Sequence, residues 1–362
     1  TGGELPTVYT VDLRQELQEG NRSIFSRKLQ ELMADRLNKG QQTILFLNRR
    51  GYAGFVSCRS CGEVMKCPHC DVSLSEHKGG RLICHYCGYT QPMPKLCPKC
   101  GSKYILGFKA GTQQIEEKLK ELYPGVRTLR MDADTTRTKD SYEKILSSFA
   151  NGEADVLIGT QMIVKGHDFP KVTLVGILAA DLSLNASDYR AGERTFQLLT
   201  QAVGRAGRGA LPGEAVIQTY QPDHYAITCA AAQDYENFYQ EEILYRELSG
   251  YPPVAHMLAV QIYGKEEENA KQLALRLTDV VKSNMDFLSG KQKEQSNKKI
   301  QVLGPAPANI SKINDIYRYV FYVKHAEYDV LVEVKDRLEE TLRQWQPRQM
   351  SIQFDFDPVS VL

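Results

Sequence analysis

Four Cys-x-x-Cys pairs in one short stretch constrain this chain more than any other feature of its sequence. The pairs are Cys58/Cys61, Cys67/Cys70, Cys84/Cys87 and Cys97/Cys100. Each pair can offer two thiolates from one tight turn, and Zn²⁺ prefers four thiolates in a tetrahedron. Because eight of the nine cysteines fall in these pairs, metal binding explains them better than disulfides do. We therefore predict two structural zinc ions, each closed to water by four cysteines.

The spacing of the pairs does not decide which of them share an ion. Sequential, interleaved and nested arrangements all give two sites of four cysteines. A glycine directly follows the second cysteine of three pairs, where a knuckle turn favours a residue without a Cβ atom. These glycines are Gly62, Gly88 and Gly101. Nitrogen ligands are a weaker alternative, offered by His69, His77 and His85. Cys229 stands alone in a predicted helix and is interpreted as core packing.

The zinc segment is also locally basic. Between Cys58 and Lys109, eight lysines and arginines outnumber three acidic residues, which gives a local charge of +5 against +1 for the whole chain. Aromatic side chains at Tyr86 and Tyr89 and the imidazole of His85 lie in the same stretch. Such a mixture favours a nucleic-acid surface. The alternative interpretation is a solvated ribbon surface.

The zinc segment interrupts a regular alternation of helices and strands. The predicted strands are Thr43–Leu47, Val126–Met131, Val156–Ile158, Val172–Leu178 and Ala215–Thr219. The predicted helices are 24–39, Ile115–Leu122, Ser141–Phe149 and Arg194–Val203. Short apolar strands between helices predict a parallel sheet with helices on both faces. The zinc segment has too few large apolar residues to bury a core of its own, so we predict that it is an insertion in this α/β domain.

A second, smaller domain is predicted after the break at Gly250–Pro253, which follows a long predicted helix, Tyr225–Leu248. Its predicted strands are Met257–Tyr263, Ile300–Leu303, Tyr317–Lys324 and Ser351–Phe356. Its predicted helices are Glu266–Phe287 and Tyr328–Trp345. The polar run Ser289–Lys299 is predicted to be a loop. This order of elements indicates a small α+β domain.

Composition excludes several classes of protein. Hydrophobic residues make up 42% and charged residues 25%, which is typical of a globular chain. The longest near-continuous apolar run, Val172–Ala180, is too short to cross a bilayer. The chain begins with polar residues and without Met, so we expect no signal peptide and a piece of a longer protein.

The stretch from Gln201 to Arg208 predicts a phosphate-binding motif. If the stretch is helical, Gln201, Arg205 and Arg208 share one face, and arginine forks suit phosphate oxygens. Gly204 and Gly207 would let the backbone approach a triphosphate. An exposed helix end that carries two arginines by chance is the alternative interpretation.

A second motif precedes it. The buried strand from Asp155 should deliver Thr160 and Gln161 to its carboxyl end, where parallel sheets bind ligands. The loop Lys165–Pro170 follows. Together the two motifs resemble motifs five and six of superfamily 2 helicases. The sequence contains no G-x-x-x-x-G-K-[ST] phosphate cradle, so we predict that the chain holds only the second RecA-like lobe and does not hydrolyse ATP alone.

Further stretches extend the resemblance over essentially the whole chain. They are Phe46–Gly51, Gly111–Gln113, Met131–Thr136, Gly159–Pro170, Asp188–Arg194, Gln201–Arg208, Tyr251–Pro253, Leu303–Pro305, Tyr317–Tyr319 and Asp355–Pro358. With the zinc segment inserted after Phe46–Gly51, they resemble the PriA family of replication-restart DNA helicases. The resemblance implies 3′ to 5′ translocation on single-stranded DNA with ATP and Mg²⁺, recognition of abandoned forks, and primosome assembly. It implies as partners the single-strand-binding protein, other primosome proteins and the loader of the replicative helicase, with the protein a monomer in the bacterial cytoplasm, away from membranes.

The resemblance also implies roles for individual residues. The zinc grouping would be nested, with Cys58, Cys61, Cys97 and Cys100 on one ion and Cys67, Cys70, Cys84 and Cys87 on the other. ATP would contact Gly166, Asp168, Gly204, Arg205 and Arg208. Arg208 would be the catalytic arginine finger, assisted by Arg205 and Gln201. DNA would contact Asn48, Arg49, Arg50, Gly111, Thr112, Thr160, Gln161 and Lys165.

These inferences predict a second RecA-like lobe with an inserted double zinc ribbon and a C-terminal α+β domain. The predicted boundaries are 1–57 and 107–249 for the lobe, 58–106 for the zinc segment, and 250–362 for the C-terminal domain. Two rival hypotheses are a non-catalytic zinc-ribbon docking module and an RNA helicase of the same superfamily. A docking module has no use for the phosphate-facing arginines, and the double zinc insertion disfavours the RNA helicase.

Overall fold

A computed structural model gives the structure of the protein. It describes residues 5–47, 56–70, 72–77, 80–107, 111–132, 135–136, 139–160, 163, 169–186, 188–209, 211–283 and 299–359. The chain divides into two compact units. Unit 1 consists of 1–64, 94–186 and 190–239. Unit 2 consists of 65–93, 187–189 and 240–362.

Unit 1 is built on a parallel sheet. Its strands are β1 (Thr7–Asp12), β2 (Gln42–Leu47), β8 (Thr128–Met131), β9 (Val156–Gly159), β10 (Val172–Leu178) and β11 (Glu214–Thr219). Its helices are α1 (Leu13–Gln18), α2 (Arg27–Asn38), α3 (Thr112–Leu122), α4 (Lys139–Ala150), α5 (Asp181–Leu184), α6 (Ala191–Val203) and α7 (Tyr225–Ala232). Among the described residues the six strands take the order β1-β11-β10-β2-β9-β8, and every neighbouring pair is parallel. The predicted parallel sheet is confirmed.

Two separate cores cover the faces of this sheet. In β2, Ile44 and Phe46 join the core that contains α6 and α7, whereas Leu45 and Leu47 join the core that contains α2 and α3. This alternation follows from the period of two residues in a strand. Both faces are therefore buried, as the continuous apolar runs predict.

The zinc segment leaves the sheet after β2 and returns at α3, so the predicted insertion is confirmed. It contains short strands β3 (Val56–Cys58), β4 (Ser75–His77), β5 (Arg81–Ile83), β6 (Thr90–Pro92) and β7 (Ile105–Gly107). β3 pairs with β7 in unit 1, and β4, β5 and β6 form an antiparallel sheet in unit 2.

The C-terminal part of unit 2 is an antiparallel sheet covered by two helices. Its elements are β12 (His256–Gly264), α9 (Glu267–Ser283), β13 (Gln301–Ile313), β14 (Ile316–His325), α10 (Tyr328–Trp345) and β15 (Met350–Phe356). The described strands take the order β13-β14-β12-β15. Leucines of α9 and α10 pack with the apolar residues of β12 and β14 in one core. The predicted α+β domain is confirmed.

Several elements differ from the sequence prediction. β1 and α1 were not predicted. The predicted helix Tyr225–Leu248 is two helices, α7 and α8 (Tyr235–Ser249), because Gln233 takes the left-handed conformation with φ 54°. β13 extends to Ile313, well beyond the predicted Leu303. Among the described residues, no helix combines the length and apolar character needed to span a membrane.

Candidate metal centres and motor-lobe sites

Eight cysteines gather into two clusters of four. The outer cluster consists of Cys58, Cys61, Cys97 and Cys100, and the inner cluster consists of Cys67, Cys70, Cys84 and Cys87. Within each cluster all sulfur atoms lie within 4.8 Å of one another. The grouping is the nested one. The outer cluster lies in unit 1 and the inner cluster in unit 2.

Hydrogen bonds hold the turns that carry the cysteines. In three pairs the amide of the following glycine donates to the carbonyl of the first cysteine, as in Gly62 N to Cys58 O at 2.8 Å. The same bond is 2.9 Å from Gly88 to Cys84 and from Gly101 to Cys97. The three glycines have φ between 71° and 77°, which residues with a Cβ atom rarely adopt. The knuckle turns expected from the sequence are therefore present.

The thiols compete for protons within each cluster. Burial opposes ionisation of Cys58, but hydrogen bonds from the backbone amides of Cys61 and Ser60 outweigh it and lower its pKa to about 7. Burial raises the pKa of Cys61 to about 12. In the inner cluster, hydrogen bonds from Cys70 and Cys84 lower the pKa of Cys87 to about 2. Because a zinc ion binds thiolates, it would displace the protons that remain on the thiols of each cluster.

The geometry fits tetrahedral zinc. Zn–S bonds of about 2.3 Å place tetrahedral sulfurs about 3.8 Å apart. The Sγ atoms are 3.6 Å apart in Cys58/Cys100 and Cys61/Cys97, and 3.5 Å apart in Cys67/Cys87. All nine cysteines are described and none forms a disulfide. Two Cys₄ clusters therefore fit two structural zinc ions.

The inner cluster is anchored to the C-terminal sheet by a buried tyrosine. Tyr86, between Cys84 and Cys87, is 1% exposed. Its ring centroid lies 5.1 Å from that of Tyr322 on β14 and 6.3 Å from that of Tyr251. Its hydroxyl accepts a hydrogen bond from Tyr189 N at 3.1 Å. His85 is also buried and lies within hydrogen-bonding distance of Pro307 O, at 3.2 Å. The C-terminal domain and the inner ribbon therefore share one packed interior.

The arginine motif forms a turn and not a continuous helix. α6 ends at Val203 and Gly204 caps it, so Arg205 and Arg208 follow the helix. The expectation that Gln201, Arg205 and Arg208 share one helical face is wrong, because Gly207 has φ 72° and the chain turns there. Arg208 is exposed, and its Nε donates to Gly204 O at 2.8 Å. Gln201 is exposed at the end of α6.

Glycines in this turn allow close contact between backbones. A Cβ atom at Gly207 would lie 2.4 Å from Gly213 N, and one at Gly209 would lie 2.4 Å from Pro170 O. Gly207 N also donates to Val172 O, the first residue of β10, at 3.0 Å. Approach to a triphosphate is therefore not needed to explain Gly207. The contacts place the arginine turn at the amino edge of the sheet.

Other predicted site residues lie at the carboxyl edge. Thr112 begins α3, capped by Gly111, and its hydroxyl donates to Asp132 Oδ2 at 2.6 Å. Thr160 follows β9, and its amide donates to Met131 O at 3.3 Å. The carboxyl ends of β8 and β9 thus bring Thr112 and Thr160 into one neighbourhood. Asp132 is not among the predicted site residues, although it lies directly after β8, where parallel sheets bind ligands.

Several predicted residues lie outside the described part of the chain. They are Asn48, Arg49, Arg50, Gln161, Lys165, Gly166 and Asp168. Their roles remain predictions. The described residues nevertheless show that two sets of predicted site residues lie apart. Thr112 and Thr160 lie at the carboxyl edge, whereas Arg205 and Arg208 lie near the amino edge, about 20 Å away for strands of up to seven residues.

Three family models match the chain. Residues 67–92 match the PriA DNA helicase Cys-rich region domain. Residues 96–210 match the helicase conserved C-terminal domain, and residues 247–359 match the primosomal protein N C-terminal domain. The parallel lobe, the zinc ribbon and these matches define the C-terminal part of a helicase.

Comparison with curated relatives identifies the family within this class. The chain is 44% identical over 360 residues to the replication restart protein PriA of Bacillus subtilis, covering 99% of this chain and 43% of the relative. It is 42% identical to that of Synechocystis, covering 99% and 42%, and 35% identical to that of Treponema pallidum, covering 100% and 52%. The chain belongs to the PriA family. It spans about half or less of the length of these relatives.

Proposed function

We propose that this chain is the second motor lobe, zinc ribbon and C-terminal domain of an ATP-dependent 3′ to 5′ DNA helicase that restarts replication at stalled or abandoned forks. One observation carries the proposal. A parallel RecA-like sheet holds an exposed arginine turn near one edge and Thr112 and Thr160 near the other. Such a lobe can bind a nucleotide and a DNA strand at separate places.

ATP with Mg²⁺ would supply the phosphoryl group whose transfer to water drives translocation. The chain's own contribution would be Arg208, which stabilises the charge that develops on the γ-phosphate, with Arg205 and Gln201 beside it. Gly204, Gly166 and Asp168 would complete the contacts of this lobe. The phosphate cradle would come from a first lobe, so the chain alone would not hydrolyse ATP.

At the opposite edge, Thr160 and Thr112 would contact the DNA backbone, together with Asn48, Arg49, Arg50, Gly111, Gln161 and Lys165. Hydroxyl and amide donors at the carboxyl ends of parallel strands suit phosphate oxygens. The two zinc ions would be structural. The single-strand-binding protein, other primosome proteins and the helicase loader are the proposed partners, and the bacterial cytoplasm is the proposed location of a monomer.

The test is DNA-stimulated ATP hydrolysis by the chain alone and by the full-length protein that contains it. We expect no ATP hydrolysis by the chain alone and DNA-stimulated ATP hydrolysis by the full-length protein. Arg208→Ala should lower the rate constant of the full-length protein by about 10³-fold or more. Arg343→Ala, which removes an exposed arginine of α10, is the matched control and should leave the rate unchanged.

The outcomes separate the rival hypotheses. A full-length protein that stays silent with every DNA would support a zinc-ribbon docking module. Stimulation by RNA and not by DNA would support an RNA helicase. Hydrolysis by the chain alone would refute the assignment of the phosphate cradle to another lobe.

A further inference from the structure

A cavity lies where the outer zinc ribbon meets the carboxyl edge of the parallel sheet. Its volume is about 710 Å³, within the range of ligand pockets. Leu178 and Ala179 at the end of β10, and Gln218 and Tyr220 at the end of β11, form its floor. All residues that line it belong to unit 1.

The outer ribbon forms one wall. Arg59 and Tyr104 come from neighbouring chain segments, joined by a hydrogen bond from Arg59 N to Tyr104 O at 2.9 Å. Tyr104 is 63% exposed, which leaves its ring accessible. The turn at Gly62 packs against the floor so closely that a Cβ atom there would lie 2.6 Å from Tyr220 O. The wall is therefore fixed to the sheet by direct backbone contact.

Charge and hydrogen bonding favour an anionic ligand. Arg22 and Arg59 line the cavity, and Glu16 is the acidic residue among its lining residues. Glu16 accepts hydrogen bonds from Asn21 Nδ2 and from Arg27 N, so its charge is compensated locally. Two guanidinium groups and two tyrosines around one space match a strand of nucleotides, whose phosphates pair with arginine and whose bases stack on aromatic rings.

The position of the cavity favours single-stranded DNA as the occupant. Because the six strands of the unit 1 sheet are parallel, the ends of β10 and β11 share an edge with Thr160 at the end of β9. β9 and β11 are three strand spacings apart, which is about 14 Å. A DNA strand that lies along this edge reaches from Thr160 to the cavity within a few nucleotides.

We propose that this cavity is a binding site for single-stranded DNA, in which Arg22 and Arg59 contact phosphates and Tyr104 stacks on a base. The proposal rests on the proposed function and extends it. It gives the outer zinc cluster a specific task, because the cluster holds Arg59 and Tyr104 over the end of the sheet.

The experiment measures the affinity of the complete chain for a short fluorescent oligothymidylate at several salt concentrations. The double variant Arg22→Ala/Arg59→Ala should bind at least about tenfold more weakly. Its slope of log K against log salt should be shallower by about 1.4, since each phosphate contact on a single strand contributes about 0.7. Tyr104→Ala should weaken binding by about five- to hundredfold with the slope unchanged.

Matched controls are Arg81→Ala, an exposed arginine of the inner ribbon, and Tyr239→Ala, an exposed tyrosine of α8. Both should bind like the unchanged chain. Zinc content and melting temperature verify that each variant is folded. A photocrosslink from 5-bromodeoxyuridine to Tyr104 gives a readout that does not depend on affinity.

An unchanged affinity and salt slope in the double variant would overturn the proposal, as would a complete chain that binds no oligothymidylate. Crosslinks confined to residues 65–93 would overturn it too. These outcomes differ from failure of the proposed function, which is a full-length protein without DNA-stimulated ATP hydrolysis.

Discussion

At the scale of single residues, Gly207 sets the geometry of the arginine turn. Its φ of 72° and the 2.4 Å approach to Gly213 N leave no room for a side chain. Gly207→Ala should therefore lower the free energy of unfolding by more than about 2 kcal/mol, through backbone strain and steric overlap together. Urea unfolding measures the difference.

Gly125 provides the control for this prediction. It also has a positive φ, 89°, but nothing lies within 4 Å of a Cβ atom placed there. Gly125→Ala should cost only the backbone strain, about 1 kcal/mol. Equal losses in the two variants would show that the contact with Gly213 does not matter.

Asp181 makes stability depend on pH. Burial raises the pKa of this carboxyl to about 6, against hydrogen bonds from Tyr220 N and Thr219 Oγ1 and the charge of Arg14 that lower it. Because the folded state binds the proton more tightly than the unfolded state, this group stabilises the fold at low pH. That contribution is lost as pH rises from about 4 through 6.

Asp181→Asn removes this titration and keeps an acceptor at the same place. Between pH 4 and pH 7, the unchanged chain should therefore lose up to about 3 kcal/mol of unfolding free energy relative to the variant. Comparing the two proteins cancels the carboxyls whose pKa is lowered, such as Asp12 and Asp155. A difference that does not vary with pH contradicts the prediction.

Cys67 tests the inner cluster directly. Cys67→Ser should lower bound zinc from about two ions per chain to about one, because each Cys₄ site needs all of its thiolates. Cys229→Ser changes the cysteine outside the two clusters and should retain both ions. Metal analysis measures the zinc content of each purified variant. Two zinc ions in Cys67→Ser would contradict the proposed set of ligands.

At the scale of elements, the turn that carries Tyr86 joins the inner ribbon to the C-terminal sheet. Tyr86→Ala should lower the free energy of unfolding by about 3–5 kcal/mol, because it empties a space between Tyr251 and Tyr322. Tyr86→Phe keeps the ring and loses only the hydrogen bond from Tyr189 N, which costs about 1 kcal/mol. Thermal and urea unfolding should rank the two variants in this order.

Elements with strong local patterns could be predicted from the sequence, and elements that depend on distant partners could not. β2 and β10 are continuous apolar runs and were predicted within one residue. β1 has only partly buried or exposed residues, and its partner Glu214–Thr219 lies about two hundred residues away. Proline usually interrupts a strand because it cannot donate a backbone hydrogen bond. β13 nevertheless accommodates Pro305 and Pro307, because it is an edge strand with irregular pairing.

The candidate sites divide in the same way. The cysteine spacing predicted which residues bind metal, but the pairing needed the family resemblance, since no local rule excludes the other groupings. The arginine motif can be recognised from its amino-acid sequence. Its turn cannot be predicted in this way, because the turn depends on the contact between Gly207 and Gly213, which joins separate segments. The cavity at Arg59 and Tyr104 has no sequence signature, because residues from six separate stretches of the chain line it.

At the scale of the whole molecule, the inner ribbon packs against the C-terminal domain through Tyr86. Removing residues 250–362 takes away Tyr251 and Tyr322, which pack against Tyr86. One of the two zinc ions should then pass to a chelator much faster than in the complete chain, while the other keeps its rate. Chelator absorbance against time measures both, and two equally slow ions would show that the inner ribbon is stable alone.

Neither of the two units is a contiguous stretch of the chain. The backbone passes between unit 1 and unit 2 at five peptide bonds, after residues 64, 93, 186, 189 and 239. No single proteolytic cut therefore releases either unit as one contiguous piece. A chimaera that exchanges the C-terminal domain between two relatives would have to exchange residues 65–93 and 187–189 with it, so the inner ribbon and the C-terminal domain are expected to be inherited as one part.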